Sequence, residues 1–259
     1  MKAKIDAIFQ VREGSTRLPG KMFKKILGKS LLWHIVQRVK AADLANRIIL
    51  ATTRKRADDR IVKFAKKNKI LFYRGSTEDV LDRFYQAARK FNSDIIVRIT
   101  PDDPFKDPQI IDNFIRYFLE HKNRLDYLSN TIKPTYPEGL DIEIFSFGAL
   151  KRAWQEAKKP SEREHVTPYI WKNPKKFRIK NLSYKKNLFH LRWTIDYLAD
   201  LKFARKIYKK LYPKKKIFLM DDILKLLKKE PKLQKINQGF IYHEGYLKSL
   251  KGDKSTKKI

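Results

Sequence analysis

Apolar positions in the first half of the chain follow two alternating patterns. The runs 5–11, 47–53, 70–74 and 94–100 are short and rich in Ile, Val, Leu and Thr, which predicts strands. The stretches 31–42, 58–68, 78–91 and 108–122 repeat apolar residues at three- and four-residue spacing, which predicts helices. Strand and helix in alternation predict right-handed βαβ units. The expected fold class is α/β, a three-layer, mostly parallel sheet with helices on both faces and a smaller inserted β-rich part.

The second half is less regular. Residues 134–139 break the pattern with two prolines and a glycine. A strand is expected over 141–147 and a helix over 147–158. Ser161-Glu162-Arg163-Glu164 has the form of a capping box and predicts a helix over 164–171. Segments 177–184 and 188–195 are expected as strands. Leu198, Leu201, Ala204, Ile207 and Leu211 form one helical stripe, and Ile223, Leu224, Leu226 and Leu227 another. No repeat or Gly/Ser linker divides the chain. The expected organisation is one domain over 1–245 and a disordered basic tail over 246–259. Ligands of open α/β sheets sit beyond the carboxyl ends of the strands. That places candidate chemistry in the loops 12–21, 74–79 and 101–104.

With 42% hydrophobic residues the chain can fill a core, so wholesale disorder is excluded. The absence of cysteine excludes a disulfide framework, a Cys-ligated zinc and cysteine catalysis. A formal charge of +32 favours polyanionic ligands. Residues 201–259 carry 18 Lys and Arg against 5 Asp and Glu, but interleaved with the apolar stripes. That interleaving fits solvated helix faces better than a nucleic-acid footprint. The apolar run 7–9 is too short for a signal peptide, and no stretch has the roughly 18 apolar residues of a membrane span. A soluble, cytoplasmic protein is expected.

Several motifs fail on spacing. Gly28-Lys29-Ser30 lacks the earlier glycine of a phosphate-binding P-loop, because Phe23 stands there. No two glycines are two apart, as a dinucleotide fingerprint needs. The five histidines show no zinc spacing, and no Gly-x-Ser-x-Gly elbow is present.

One constellation survives. The first strand runs into Arg12-Glu13-Gly14-Ser15-Thr16-Arg17-Leu18-Pro19-Gly20-Lys21. Two glycines, a hydroxyl pair and three cations, Arg12, Arg17 and Lys21, suit a triphosphate, which needs backbone donors and fixed positive charge. The strand 94–100 ends in Pro101-Asp102-Asp103-Pro104, a carboxylate pair suited to a hard cation such as Mg²⁺. Asp196, followed by Asp200, closes a second β-rich run. Spacing alone does not pair Asp102 with Asp196.

The run Gln10-x-Arg12-x-Gly14-Ser15-x-Arg17-Leu18-Pro19-Gly20-Lys21 resembles the opening signature of cytidylyltransferases that activate acidic sugars. It is most similar to the spore coat polysaccharide biosynthesis protein F type, which is related to the Kdo and acylneuraminate cytidylyltransferases. The resemblance continues through Arg74-Gly75-Ser76, Val80-Leu81-Asp82-Arg83, Arg98-Ile99-Thr100-x-Asp102-x-Pro104 and Gly139-Leu140-Asp141-x-Glu143. It then follows Arg163-Glu164-His165 to Leu191-Arg192-x-Thr194-x-Asp196, covering roughly residues 4–237.

The resemblance implies a fold like that of nucleotide-diphospho-sugar transferases. It implies a CTP-dependent enzyme that transfers CMP to an acidic sugar or related acidic alcohol, releasing pyrophosphate, in surface polysaccharide or glycoconjugate biosynthesis. Arg12, Gly14, Ser15, Arg17 and Lys21 are then expected along the phosphates, and Ser76 and Arg83 toward the base. Asp102 and Asp196 are expected to hold Mg²⁺. Glu143 and His165 are expected to bind the acceptor, within a sugar-binding and dimerisation part over about 125–190 of a homodimer. Arg12, Arg17, Lys21, Asp102 and Asp196 form the expected catalytic set. The family usually has a small residue before the metal aspartate, where this chain has Pro101. It often has Cys or Glu after it, where Asp103 stands, so Asp103 is a further candidate ligand. The alternatives are a related enzyme using another nucleoside triphosphate or a sugar phosphate, or a basic nucleic-acid-binding protein that keeps the fold without the chemistry.

Overall fold

A computed structural model of the chain describes residues 3–239 and 244–255. Strand β1 (Ile5–Gln10) leads to a short hairpin, β2 (Lys25–Ile26) with β3 (Lys29–Ser30), and then to helix α1 (Leu31–Lys40). Next come β4 (Arg47–Thr53), α2 (Asp59–Lys67), β5 (Leu71–Gly75), α3 (Val80–Lys90), β6 (Ile95–Ile99) and α4 (Pro108–Glu120). The second half holds β7 (Tyr127–Ser129), β8 (Glu143–Ser146), α5 (Phe147–Glu156), α6 (Pro160–His165), α7 (Pro168–Trp171) and β9 (Ile179–Asn181). Helices α8 (Leu198–Leu211), α9 (Met220–Lys229) and α10 (Glu244–Ser255) follow.

The sheet order is β5-β4-β1-β6-β8-β7-β9. Strand β1 pairs in parallel with both β4 and β6, and β8 runs antiparallel to β6 and β7. The chain therefore winds to one side from β1 to β5 and crosses back to β6. Beyond the carboxyl ends of β1 and β6 lies the switch point where ligands of such sheets bind. The helices start where the sequence supplies caps. Ser30 accepts from the Trp33 amide (3.2 Å), Asp79 from Asp82 (2.8 Å), and Asp107 from Gln109 (2.9 Å) just before Pro108. The two sheet faces carry separate cores. One gathers Leu32 and Val36 of α1, Ile111 and Phe118 of α4, and Ile207 and Ile223 of α8 and α9. The other gathers Leu81 and Phe84 of α3, Leu150 of α5 and Ile170 of α7. Among the described residues no helix is long and apolar enough to cross a membrane.

Four local expectations change. The β-rich part is not a separate insert, because β8, β7 and β9 extend the main sheet. Only Ile179–Asn181 of the 177–184 segment is a strand. Residues 188–195 form no strand, although Leu191, Trp193 and Ile195 are buried in alternation. Their amides pair with loops instead: Trp193 N–H donates to the Glu138 carbonyl (2.7 Å) and Ile195 N–H to that of Asp102 (2.8 Å). Ser161 does not cap a helix but lies inside α6, where its hydroxyl donates to Asp253 (2.5 Å).

The C-terminal segment also differs from expectation. Instead of a disordered tail, α10 continues to Ser255 and docks on α6 through that Asp253 contact. Residues 256–259 of the expected tail lie outside the described residues. On α8, Leu201, Ala204 and Ile207 are buried as the stripe predicts, but Leu198 is 51% exposed.

Candidate active site

The loop after β1 is pinned at both ends. Glu13 N–H donates to Asp58 Oδ1 (2.7 Å), and Leu18 is buried beneath the loop. Between them, Ser15 N–H donates to the Glu13 carbonyl (2.8 Å) and Ser15 Oγ accepts from Leu18 N–H (3.4 Å). The loop presents Arg12 and Gly14 to solvent. Of its two glycines only Gly20 needs the left-handed region, at φ 64°, where it turns the chain so that Lys21 points inward.

Lys21 joins the two distant carboxylates. Its Nζ lies 2.9 Å from Asp102 Oδ2 and 3.0 Å from Asp196 Oδ1, and donates to the Ile195 carbonyl (3.0 Å). Burial works against the Lys21 charge, yet Asp102 and Asp196 outweigh it and hold its pKa above the usual value. Burial likewise pushes Asp102 up, and Lys21 brings it below the usual range. Arg17 reaches Asp196 Oδ1 (2.7 Å) and Glu244 Oε2 (2.7 Å). Arg192 spans Asp196 (3.2 Å), Asp200 (3.1 Å) and Glu138 (2.9 Å). Asp196 is not the cap of α8. That task falls to Asp200, whose Oδ2 accepts from the amides of Asp196 and Tyr197 (both 2.9 Å).

The carboxylate of Asp103 is engaged elsewhere. It accepts from Thr100 Oγ1 and pairs with buried Lys106 at 2.9 Å. Burial pushes Asp103 up to about 6, with Asp102 and Asp141 adding and Lys106 opposing. Among the described residues no group of three or more His, Asp or Glu is disposed to hold a metal ion. Asp102 and Asp196 nevertheless fit a divalent cation, because one ammonium already sits within 3.0 Å of both. Such an ion would take its remaining ligands from phosphate oxygens and water.

Residues expected toward the base lie past β5. Arg83, 1% exposed, donates to the Ser76 carbonyl (2.5 Å), and Ser76 Oγ accepts from Asp79 N–H (3.0 Å). Burial, then Arg12, pulls Arg83 down to about 10. Arg83 Nε, Thr52 Oγ1 and Glu13 Oε1 are buried without hydrogen-bond partners. Glu13 lies in the loop after β1, Thr52 near the carboxyl end of β4, and Arg83 in the first turn of α3. Buried polar atoms left unpaired are costly.

Beside the Asp102–Asp196 pair opens a cavity of about 300 Å³, lined also by Gln10, Arg98, Glu143, His165, Trp171 and Tyr246. Glu143 is its hub. It pairs with Arg98 and accepts from Tyr127 (2.6 Å) and Thr167, and these partners hold its pKa below the usual range against burial. Both its oxygens are thus engaged, so its part in the cavity wall is to fix Arg98 and Thr167. His165 reaches Ser249 Oγ (2.9 Å) on α10.

Two predictions arise here. Gly139 sits at φ 102°, and a Cβ there would lie 2.8 Å from the Trp193 carbonyl carbon. Gly139→Ala should therefore cost about 2–5 kcal/mol, combining strain and overpacking. Urea denaturation with an unchanged midpoint would show that the 191–196 segment can simply move aside. The second concerns Glu138, whose pKa burial raises from 4.5 to about 7 against the pull of Arg192. The fold then binds this proton more tightly than the unfolded chain does. Its contribution is complete below pH 4.5 and lost as pH rises through about 7. In Glu138→Gln, stability should fall less steeply across that window. Identical pH–stability curves for the variant and the parent would contradict the assignment.

The sequence points to Arg12, Gly14, Ser15, Arg17, Lys21, Ser76, Arg83, Asp102, Glu143, His165 and Asp196. The structure gathers Arg17, Lys21, Asp102 and Asp196 into one cluster, sets Glu143 and His165 in the adjoining cavity, and places Ser76 and Arg83 along the sheet edge. Arg192 and Glu244 also pair with this cluster, and Glu138, Glu244 and Tyr246 line the cavity, though the sequence does not single them out. Arg192 carried a signal, being four residues from Asp196 in a quoted motif. Glu244 and Tyr246 carried none.

A family model described as cytidylyltransferase matches residues 7–244. A protein of unassigned function from Methanocaldococcus jannaschii is 38% identical, over 90% of this chain and 94% of its own length. The spore coat polysaccharide biosynthesis protein SpsF of Bacillus subtilis is 30% identical, over 78% of this chain and 85% of its own. A solved cytidylyltransferase from Leptospira borgpetersenii superposes with a TM-score of 0.87 at 33% identity, covering 93% of this chain and all of the other.

Proposed function

The chain belongs to the cytidylyltransferase family, and on that premise we propose that it transfers CMP from CTP to a hydroxyl of an acidic sugar or related acidic alcohol, in surface polysaccharide or glycoconjugate biosynthesis. The observation that carries this is the Lys21 ammonium held between Asp102 and Asp196 at the edge of a 300 Å³ cavity. The arrangement brings a fixed cation, two carboxylates and room for an acceptor to one place.

The triphosphate lies along residues 12–21, where Arg12, Arg17 and Lys21 neutralise it and Ser15 and the loop amides donate. Arg17 exchanges Glu244 for phosphate as the nucleotide enters. Asp102 and Asp196 would hold Mg²⁺ in place of the Lys21 ammonium, and the ion would supply positive charge at the α-phosphate. Arg83 and Ser76 meet the base. The acceptor occupies the cavity, where Arg98 and His165 are the lining side chains able to carry positive charge toward its carboxylate. Its hydroxyl oxygen attacks the α-phosphorus, the bond to the bridging β-phosphate oxygen breaks, and pyrophosphate leaves with that electron pair. The hydroxyl proton passes to solvent. Catalysis rests on positioning and charge neutralisation. A cytoplasmic homodimer belongs to the same proposal.

The test is pyrophosphate release with Mg²⁺, each of the four nucleoside triphosphates, and a panel containing 3-deoxy-manno-octulosonate, N-acetylneuraminate, neutral sugars and sugar phosphates. The expected result is release with CTP and an acidic sugar. Release with another triphosphate, or with a sugar phosphate alone, would contradict the proposal.

A further inference from the structure

Helix α10 forms one wall of the cavity, and one of its side chains is poorly explained by packing alone. Tyr246 lines the cavity, yet its hydroxyl is buried and finds no hydrogen-bond partner. Its ring meets His165 edge-on at 5.1 Å and Trp171 at 6.1 Å, and Lys172 Nζ lies 5.3 Å from its centroid. Phenylalanine would make all of these contacts without burying a polar atom. A buried phenol with no partner calls for a role outside the packing.

We propose that Tyr246 is a specificity-determining residue for the acceptor, and that its hydroxyl hydrogen-bonds a polar group of the bound acceptor. This rests on reading the cavity as the acceptor site. The surroundings hold the phenol in place. Ser249 Oγ donates to Glu164 Oε2 (2.6 Å) and lies 2.9 Å from His165 Nε2. That contact locks the imidazole against the Tyr246 ring. Farther along α10, Asp253 accepts from Ser161 N–H (3.0 Å) and Oγ (2.5 Å). At the helix start, Glu244 is bound by Arg17 and by Tyr197 Oη, both at 2.7 Å. The phenol is thus fixed from both ends, with its ring packed and its hydroxyl unspent. A preorganised group of this kind discriminates between acceptors that can and cannot pair with it.

The test compares Tyr246→Phe with the parent protein in CTP-dependent pyrophosphate release, using whichever of 3-deoxy-manno-octulosonate and N-acetylneuraminate turns over faster. The acceptor KM should rise about 3- to 10-fold, the loss of one neutral hydrogen bond. The Kd for CTP should stay unchanged. The melting temperature should hold or rise, because the variant buries one unpaired hydroxyl fewer. An unchanged acceptor KM overturns the proposal. So does a fall in melting temperature without a change in KM, which would make the hydroxyl structural. If the parent protein turns over neither acid, the acceptor reading of the cavity fails and this role falls with it. Parent turnover with an indifferent variant sinks the Tyr246 role alone.

Discussion

Asparagine at either Asp102 or Asp196 should remove nearly all turnover while leaving the fold intact. The two residues follow different segments, and Lys21 draws both carboxylates to one cation, at 2.9 and 3.0 Å. On the proposed function, a Mg²⁺ held by that pair would neutralise the charge developing at the α-phosphate. Losing one carboxylate should cost at least about 10³-fold in kcat, the scale of removing a preorganised electrostatic group. The double variant should be little worse than either single one, because groups acting as a unit are non-additive. Folding should survive for a specific reason. The cap of α8 is Asp200, not Asp196. In Asp196→Asn, Lys21 keeps Asp102, and Arg192 keeps Glu138 and Asp200. Pyrophosphate release and thermal melting, measured on the same preparations, check both halves. Near-parent turnover in Asp196→Asn at saturating Mg²⁺ would remove Asp196 from the site.

Lys21→Ala should weaken CTP binding by about 10- to 100-fold, corresponding to roughly 1.5–3 kcal/mol for a charged hydrogen bond to phosphate. Asp102 and Asp196 keep Lys21 charged, so the ammonium is in place before nucleotide arrives. Arg17→Ala should fall in the same direction, since Arg17 too trades carboxylate partners, Asp196 and Glu244, for phosphate. Titration calorimetry giving parent affinity in Lys21→Ala would contradict the placement of the phosphates on this loop.

Much of this architecture was legible in the chain, for physical reasons that also mark where legibility stops. Strand β4 occupies 47–53 as expected, and β1 and β6 lie within a residue or two of their predicted bounds. Long periodic runs that bury one face leave a plain signature. The segment 188–195 carries an equally real alternation, Leu191, Trp193 and Ile195, but that pattern reports burial and not pairing. Its backbone crosses the sheet end and bonds to loops, turning Arg192, Thr194 and Asp196 to the other side. Strand β7 is three residues long and the β2–β3 hairpin shorter still, too brief to show a period. The candidate phosphate loop stands out in the sequence because its residues, 12–21, are contiguous. The Asp102–Asp196 pair was not readable from spacing, since only the fold brings 102 and 196 together, and the family resemblance supplied that pairing. The end of helix α10 reads as a tail because residues 251–259 have almost no apolar content. What fixes it are single contacts from Glu244, Ser249 and Asp253, which no periodicity announces.

The central claim is that residues 12–21, with Asp102 and Asp196, form a CTP site. It is tested most directly by calorimetric titration of the protein with CTP, UTP, GTP and ATP, each in the presence of Mg²⁺. The predicted result is saturable one-to-one binding of CTP, at least about 10-fold tighter than that of the other three, a margin of about 1.4 kcal/mol. Equal binding of all four, or no heat with CTP, would contradict the account.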